Sequence, residues 1–88
     1  MKTINEIVES AARTFRVPVG KISARGHRRP IREVRYAICY VARKQGHRYQ
    51  DICVVVGRTK NRVYDGAETC ADLMSVDPVY KADVMAMF

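Results

Sequence analysis

A chain of 88 residues is long enough for one domain with one modest core. Its apolar content of 48% is ordinary for a globular protein, which excludes wholesale disorder. No run of about 18 apolar residues is present, so a membrane-spanning helix is excluded. The N-terminal stretch also lacks the apolar core of a secretion signal. We therefore expect a single domain over residues 1–88 of a cytoplasmic protein.

The net charge of +7 is concentrated in one part of the chain. Residues 13–62 hold 14 of the 16 basic residues and two acidic ones, a net charge of +12, whereas residues 63–88 carry −4. A solvated surface would interleave both signs. A block of one sign indicates a polyanionic partner, and 11 of its 14 basic residues are arginine, which makes forked contacts with phosphate and guanine.

The N-terminal part of the chain predicts one long helix and one short one. Residues 3–6, TINE, have the pattern of a capping box, and apolar residues then recur at helical spacing as far as Phe15. Pro18 must follow the end of this helix, because proline disfavours the α region for the residue before it. A short helical turn is expected around residues 19–23, with Val19 and Ile22 facing inward.

A basic loop and a further helix come next. Residues 24–29, ARGHRR, contain no large apolar side chain and read as a loop. Pro30 suits the first position of the following helix, and Gly46 suits its end. The buried stripe of this helix is expected to consist of Ile31, Val34, Ile38 and Val41.

Residues 48–74 contain two helical patterns separated by one glycine, Gly57. Two helices joined by a tight turn with glycine indicate a helix-turn-helix, whose second helix can lie in the DNA major groove. Thr59 is the expected N-cap of that second helix. Gly66 inside it costs about 1 kcal/mol relative to Ala and indicates a close approach, either to another helix or to DNA. The apolar face of the first helix consists of Tyr49, Ile52, Cys53 and Val56, and that of the second of Val63, Ala67, Cys70, Ala71 and Met74.

The C-terminal residues predict one last helix at about 77–87. Asp77-Pro78 combines an N-cap with proline at the first helical position, and Val79, Val84 and Met87 are expected to face inward. We find no strand pattern and no repeat. The chain as a whole therefore predicts an all-α fold, a compact bundle of five to six helices containing a helix-turn-helix.

The sequence carries no pattern typical of catalysis or metal binding. Cys39, Cys53 and Cys70 are widely spaced on apolar helix faces, which favours buried thiols over a disulfide or a zinc site. His27 and His47 have no ligand partner at metal-binding spacing and are expected at the surface. A phosphate-cradling glycine loop is missing as well. We predict that the protein is not an enzyme and that it uses no metal, cofactor or small-molecule substrate.

Several motifs within residues 4–73 fit one known pattern. FRVPV at residues 15–19 looks like an aromatic-x-V-x-V exit into a short helix, and RYAICYVAR at residues 35–43 is similar to R-Q-I-A-M-Y-L-A-R. YQDI at residues 49–52 looks like L-P-E-I, and VGR at residues 56–58 looks like F-G-G-R with one glycine missing. With these motifs the chain resembles the C-terminal DNA-binding domain of DnaA, the bacterial chromosomal replication initiator, which has a Trp-repressor-like helical fold.

The resemblance covers the scaffold better than the part that reads bases. The family's signature D-H-[ST]-T-V falls on residues 59–63, where only Val63 is retained. The ATPase part of an initiator is missing, so the chain is either an excised domain or a stand-alone relative. The altered signature favours a stand-alone, divergent relative.

The same resemblance, together with the charge pattern, gives three groups of candidate DNA contacts. The start of the recognition helix is expected to supply Arg58, Thr59, Lys60, Asn61 and Arg62, with Arg58 at a phosphate and the last three at base edges. The basic loop is expected to reach the minor groove with Arg25, His27, Arg28 and Arg29. Further phosphate contacts are expected from Arg32, Arg35, Arg43 and Arg48.

Binding of double-stranded DNA is the leading hypothesis, for a transcriptional regulator or a replication-associated factor of the nucleoid. One alternative is an RNA-binding or ribosome-associated basic helical protein. Tryptophan is absent and Phe15 and Phe88 are the only phenylalanines, so stacking platforms for RNA bases are scarce. A second alternative is an adaptor that holds a protein partner with its acidic C-terminal helices, and this function is compatible with DNA binding.

Overall fold

The computed structural model describes residues 1–23 and 29–88, with residues 29 and 30 described by their backbone alone. This part of the chain contains helices and no strand, which confirms the predicted all-α bundle of five to six helices. None of the described helices has both the length and the apolar character needed to cross a membrane. The helices are α1 (Ile4–Phe15), α2 (Val19–Ile22), α3 (Arg29–Lys44), α4 (Tyr49–Val56), α5 (Lys60–Val76) and α6 (Pro78–Ala86).

Helix α1 begins with the predicted capping box. The Glu6 N–H donates to Thr3 Oγ1 at 3.2 Å, and the Thr3 N–H donates to Glu6 Oε1 at 2.8 Å. The bond from the Thr3 backbone is the main reason why the pKa of the Glu6 carboxyl lies below its usual value. After Pro18, the single turn of α2 buries Ile22, as predicted, but leaves Val19 half exposed. The inward placement of Val19 was wrong because one helical turn presents little more than one side chain to the core.

Helix α3 lies between α1 and α5, and glycine permits its close packing on α5. A Cβ atom at Gly66 of α5 would lie 3.2 Å from Tyr36 Cδ1 and 3.5 Å from Cys39 Sγ. The close approach at Gly66 is therefore to another helix and not to DNA. The helix-propensity cost of this glycine is offset by the tight contact that it allows between α5 and α3.

The core draws on all six helices. In the predicted stripes of α3 and α4, most residues are buried, whereas Ile31, Tyr49 and Cys53 are only half buried. On α5 the prediction for Ala71 was wrong, since this residue is exposed while the buried stripe runs through positions 63, 66 and 70. The largest side chains that are fully buried are Ile7, Ile22, Ile38, Ile52, Met87, Val34, Val41, Val56, Val63 and Val84.

Two of the three cysteines belong to this core as neutral thiols. Burial raises the pKa of the Cys39 thiol to about 12 and that of the Cys70 thiol to about 11. Both side chains are buried, which confirms the prediction that they serve as small apolar residues. Cys53 is half buried at the side of α4.

Helix α6 closes the bundle against α5 and α1. Asp77 caps α6 by accepting the N–H groups of Val79 and Tyr80, each at 3.1 Å. The buried Tyr80 hydroxyl donates to the Glu33 carbonyl oxygen at 2.6 Å, and burial raises the pKa of this hydroxyl. Tyr80, rather than the exposed Val79, faces inward, so the prediction for Val79 was wrong by one position. The start of α6 at Pro78 sets the phase in which residues 80, 84 and 87 share the buried face.

The N-terminal segment fastens the connection between α3 and α4. Its Lys2 N–H donates to Gln45 Oε1 at 2.9 Å, and the Lys2 carbonyl oxygen lies 2.9 Å from His47 Nε2. The Lys2 ammonium donates to Ser10 Oγ and to the Met87 carbonyl oxygen. His47, which the sequence placed at the surface, is therefore half buried and holds the chain terminus in place.

Candidate nucleic-acid interface

The turn between α4 and α5 consists of residues 57–59 and follows the prediction closely. Gly57 ends α4 in the left-handed region (φ 64°, ψ 37°), and its N–H donates to the Cys53 carbonyl oxygen at 2.9 Å. A Cβ atom at this glycine would lie 2.8 Å from the Ser23 carbonyl oxygen. Thr59 then caps α5, because its Oγ1 accepts the Arg62 N–H at 3.4 Å. Glycine is needed here both for its backbone conformation and for the close passage of the chain at Ser23.

The first turn of α5 projects from this frame into solvent. Thr59, Lys60, Asn61 and Arg62, which we call the α5 tip, are all exposed, whereas Val63 directly behind them is fully buried. The first turn of α5 contains no acidic side chain. Its side-chain charges therefore add to the positive end of the helix dipole, and the α5 tip favours a negatively charged partner.

Arg58, at the centre of the turn, is half buried. Its Nη1 donates to the Gly57 carbonyl oxygen at 2.8 Å. The side chain thus lies along the turn and next to the α5 tip. The structure therefore brings the five residues predicted for the start of the recognition helix to one place.

A cluster of aromatic and basic side chains supports the α5 tip from the α4 side. The Arg43 guanidinium carbon lies 4.1 Å from the centroid of the Tyr49 ring, and the Lys60 ammonium lies 5.7 Å from the same centroid. The Tyr64 ring packs near Tyr49 with a centroid distance of 6.3 Å. Arg43 also donates to the His47 carbonyl oxygen at 2.7 Å. Arg43 therefore has a clear structural role here, and its contact with phosphate stays a prediction.

Tyr64 also belongs to the exposed α5 surface, although the sequence motifs did not indicate it. Tyr64 is half exposed, and it follows Lys60 by four positions and Asn61 by three, so it shares their side of the helix. The negative charge of Glu68 is the main reason why the pKa of the Tyr64 hydroxyl is raised. The spacing of four positions between Lys60 and Tyr64 was the feature of the sequence that could have indicated this shared face.

Arg48 keeps an exposed position beside the α5 tip. Its side chain is 74% exposed and makes a 3.4 Å ion pair with Asp51, a surface pair that contributes little to stability. An open depression of about 560 Å³ lies next to it. This depression is lined by Arg48, Tyr49, Gln50, Cys53, Thr59 and Lys60. Arg48 is thus well placed for the phosphate contact that the sequence predicts.

The predicted phosphate contact of Arg35 is corrected by the structure, because this residue is buried. Only 5% of this residue is exposed, and its guanidinium donates to the backbone carbonyl oxygens of Ile22 and Lys21. Burial, and next the charge of Arg58, lower the pKa of the guanidinium, although an arginine stays protonated at neutral pH. Arg35 thus fastens α2 to α3, and we no longer assign it a direct contact with a DNA phosphate.

The predicted basic loop falls almost wholly outside the described residues. This applies to Arg25, His27 and Arg28. Arg29, which the sequence placed in the loop, contributes its backbone to the first turn of α3. Arg32 lies one turn further along α3 and is exposed.

Four arginines from α3, the turn and α5 meet around a cavity of about 170 Å³ between α3 and α5, which we call the arginine cavity. Its lining consists of Arg32, Arg35, Tyr36, Cys39, Val56, Arg58, Arg62 and Val63. The predicted contact residues near the α5 tip thus form two groups. Arg32, Arg58 and Arg62 lie on the α3 side, and Arg48 and Lys60 lie on the α4 side.

The opposite end of the chain has a different surface. Asp65, Glu68 and Asp72 are exposed along α5 after the basic tip, and Val76 and Val79 are exposed where α5 meets α6. This is the acidic region for which the sequence predicts a protein partner, and that function stays a prediction.

Comparison of the chain with models of protein families, with curated proteins and with solved structures finds no match. The relation to the DnaA domain therefore stays a prediction based on the sequence motifs.

Proposed function

We propose that this chain is a double-stranded DNA-binding module that inserts the α5 tip into the major groove. The observation that carries the proposal is the exposed first turn of α5, which presents Lys60, Asn61 and Arg62 beside two groups of basic side chains. In a helix-turn-helix, this first turn is the part of the second helix that meets base edges. The motifs shared with the DnaA domain support the same function.

Three of the four residues of the α5 tip have a chemical preference for a base. The Asn61 amide can pair with the donor and acceptor of adenine, and Lys60 and Arg62 can donate to the two acceptors of guanine. Arg32, Arg48 and Arg58 surround the tip and fit contacts with the phosphate backbone. The tip would therefore read sequence, while the surrounding arginines would set its position on the duplex.

The acidic residues of α5 limit how much of the helix can enter the groove. Asp65 and Glu68 follow the tip within two turns and would face phosphates if α5 lay along the groove. Repulsion between carboxylates and phosphates disfavours that arrangement. We infer that α5 enters end-on and that Tyr64 marks the end of its contact surface.

The experiment that tests this function compares two duplexes, one selected from a random pool and one scrambled, at a single salt concentration. Asn61→Ala should lower affinity for the selected duplex by roughly 5- to 150-fold and for the scrambled duplex much less, because loss of one base contact costs about 1–3 kcal/mol. Arg48→Ala is the control and should weaken binding to both duplexes alike. An equal loss on both duplexes for Asn61→Ala would mean that the tip does not read bases.

A competition experiment separates DNA from RNA as the partner. We expect a labelled duplex DNA to be displaced by unlabelled duplex DNA and much less by structured RNA of equal charge. The deep, narrow major groove of A-form RNA does not admit side chains from a helix end. Preferential displacement by the RNA would favour the alternative of an RNA-binding protein.

A further inference from the structure

The arginine cavity combines a high positive charge with partial enclosure. Its four arginines come from three parts of the chain: Arg32 and Arg35 from α3, Arg58 from the turn, and Arg62 from α5. None of the described residues that line it is acidic. The cavity therefore gathers positive charge from α3, the turn and α5 at one place, which favours an anion.

The apolar walls of the cavity strengthen this potential. Tyr36, Cys39, Val56 and Val63 also line it, and they replace water with groups that cannot screen charge. Arg35 is almost completely buried at this site and is held by backbone carbonyl oxygens, so its charge is fixed in position. An anion that enters the cavity would be attracted by this fixed charge and could accept hydrogen bonds from the exposed Arg32 and Arg62.

We propose that the arginine cavity is a phosphate-binding site, occupied either by a phosphodiester group of the DNA backbone or by free phosphate. Guanidinium groups match the oxygens of a phosphate by forked hydrogen bonds, and the exposed Arg32 and Arg62 stand on two different helices at the cavity. A bound phosphate would bridge α3 and the first turn of α5. Binding of a DNA phosphodiester at this site rests on the proposed DNA-binding function, whereas binding of free phosphate does not.

The site predicts a coupling between phosphate and the α5 tip. Arg62 belongs both to the tip and to the cavity, and Arg58 lies in the turn that positions the tip. A phosphate held at this place would fix both side chains relative to α3. A backbone phosphate would thereby set the register of Lys60 and Asn61 on the bases, whereas free phosphate would compete for the same arginines.

The first arm of the test uses inorganic phosphate and no DNA. Thermal unfolding is measured in phosphate and in chloride at equal ionic strength and pH. We expect phosphate to raise the melting temperature of the unmodified protein and to raise that of Arg32→Gln clearly less, because binding to the folded state stabilises it. Arg13→Gln, at an exposed position of α1 that does not line the cavity, is the control and should respond as the unmodified protein does.

The second arm uses duplexes in which one phosphate at a time is replaced by a neutral methylphosphonate. We expect one position at which the replacement lowers affinity by roughly tenfold, as is typical for the loss of a charge-assisted hydrogen bond. The same replacement should have little effect on binding by Arg32→Gln, since that variant has already lost the contact. In Arg48→Gln, which lacks an arginine outside the cavity, the effect should persist.

The outcomes of the two arms assign the source of the phosphate or overturn the site. A response to inorganic phosphate that depends on Arg32 supports the site with free phosphate as ligand, and a methylphosphonate position that depends on Arg32 supports a backbone phosphate. If neither arm depends on Arg32 while duplex DNA still binds, the phosphate site is wrong and the proposed function stands. If DNA does not bind but the response to inorganic phosphate depends on Arg32, the proposed function is wrong and the site stands.

Discussion

The two ends of α5 differ in almost every physical property, although they belong to one continuous helix. The first turn is basic and exposed, and it is held by a single 3.4 Å cap from Thr59. The remainder carries Asp65, Glu68 and Asp72 on its outer side and packs against α3 through Gly66 on its inner side. The packed part therefore fixes the helix in the fold, which leaves the first turn free to contact a partner.

This difference also separates the positions where stability and binding should respond to mutation. Changes near Gly66 or Asp77 act on contacts that hold the bundle together. Changes at residues 60–62 remove side chains that the fold does not bury. Surface substitutions of this kind usually alter stability by less than about 0.5 kcal/mol.

The largest expected effect on binding is the change in DNA affinity from reversing one charge at each end of α5. Lys60→Glu should lower affinity for duplex DNA by roughly 10- to 100-fold at low salt, because a group facing the DNA then repels it. Asp72→Lys raises the net charge by as much as Lys60→Glu lowers it, but at an exposed position far along the helix. It should therefore raise affinity by no more than about threefold. Equal and opposite changes, measured by titration of a labelled duplex, would mean that only the net charge matters.

The next effect is on stability, at the turn that positions the basic end. Gly57 and Gly46 both have positive φ, but a Cβ atom meets a backbone carbonyl oxygen only at Gly57. Gly57→Ala should lower the free energy of unfolding by about 2–4 kcal/mol, from backbone strain and this clash together. Gly46→Ala has the strain alone and should cost about 1 kcal/mol. Urea unfolding of both variants checks the comparison, and equal losses would contradict the close approach at Ser23.

The smallest expected effect is the loss of stability when the cap at either end of α5 is removed. Asp77, which follows α5 and caps α6, accepts two N–H groups at 3.1 Å, whereas Thr59 accepts one at 3.4 Å. Asp77→Ala should therefore cost about 1–2 kcal/mol and Thr59→Ala about 0.5–1 kcal/mol, as is usual for N-caps. DNA binding should reverse this order, since Thr59 holds the tip and Asp77 does not. A larger loss of stability for Thr59→Ala would contradict the geometry of the caps.

The sequence predicted best where local rules decide the structure. The capping box at Thr3 and the Asp77-Pro78 pair define helix starts, and the spacing around Gly57 defines the turn between α4 and α5. The prediction failed where the structure depends on distant contacts. The burial of Arg35 needs the carbonyl groups of α2, which no local pattern reveals.

The arginine cavity is beyond sequence reasoning for the same reason. Arg32 and Arg62 are 30 positions apart, and they meet only because α3 packs on α5. For Val79 and Ala71 the predicted helices were correct, but the predicted direction of these side chains about the helix axis was wrong. One position along a helix turns a side chain by about 100°, so an error of a single residue exchanges core for surface.

The most direct test of the central claim, that the basic end of α5 and its surrounding arginines bind duplex DNA, is the salt dependence of affinity. The affinity for one duplex is measured between about 50 and 200 mM salt, a range in which phosphate contacts dominate the change. With phosphate contacts from Arg32, Arg48 and Arg58, we predict that the logarithm of the association constant falls with a slope of roughly −2.7 against the logarithm of salt concentration. Arg48→Gln should reduce the magnitude of this slope by about 1. An affinity that does not change over this range, or a slope that Arg48→Gln leaves unaltered, would contradict the proposed interface.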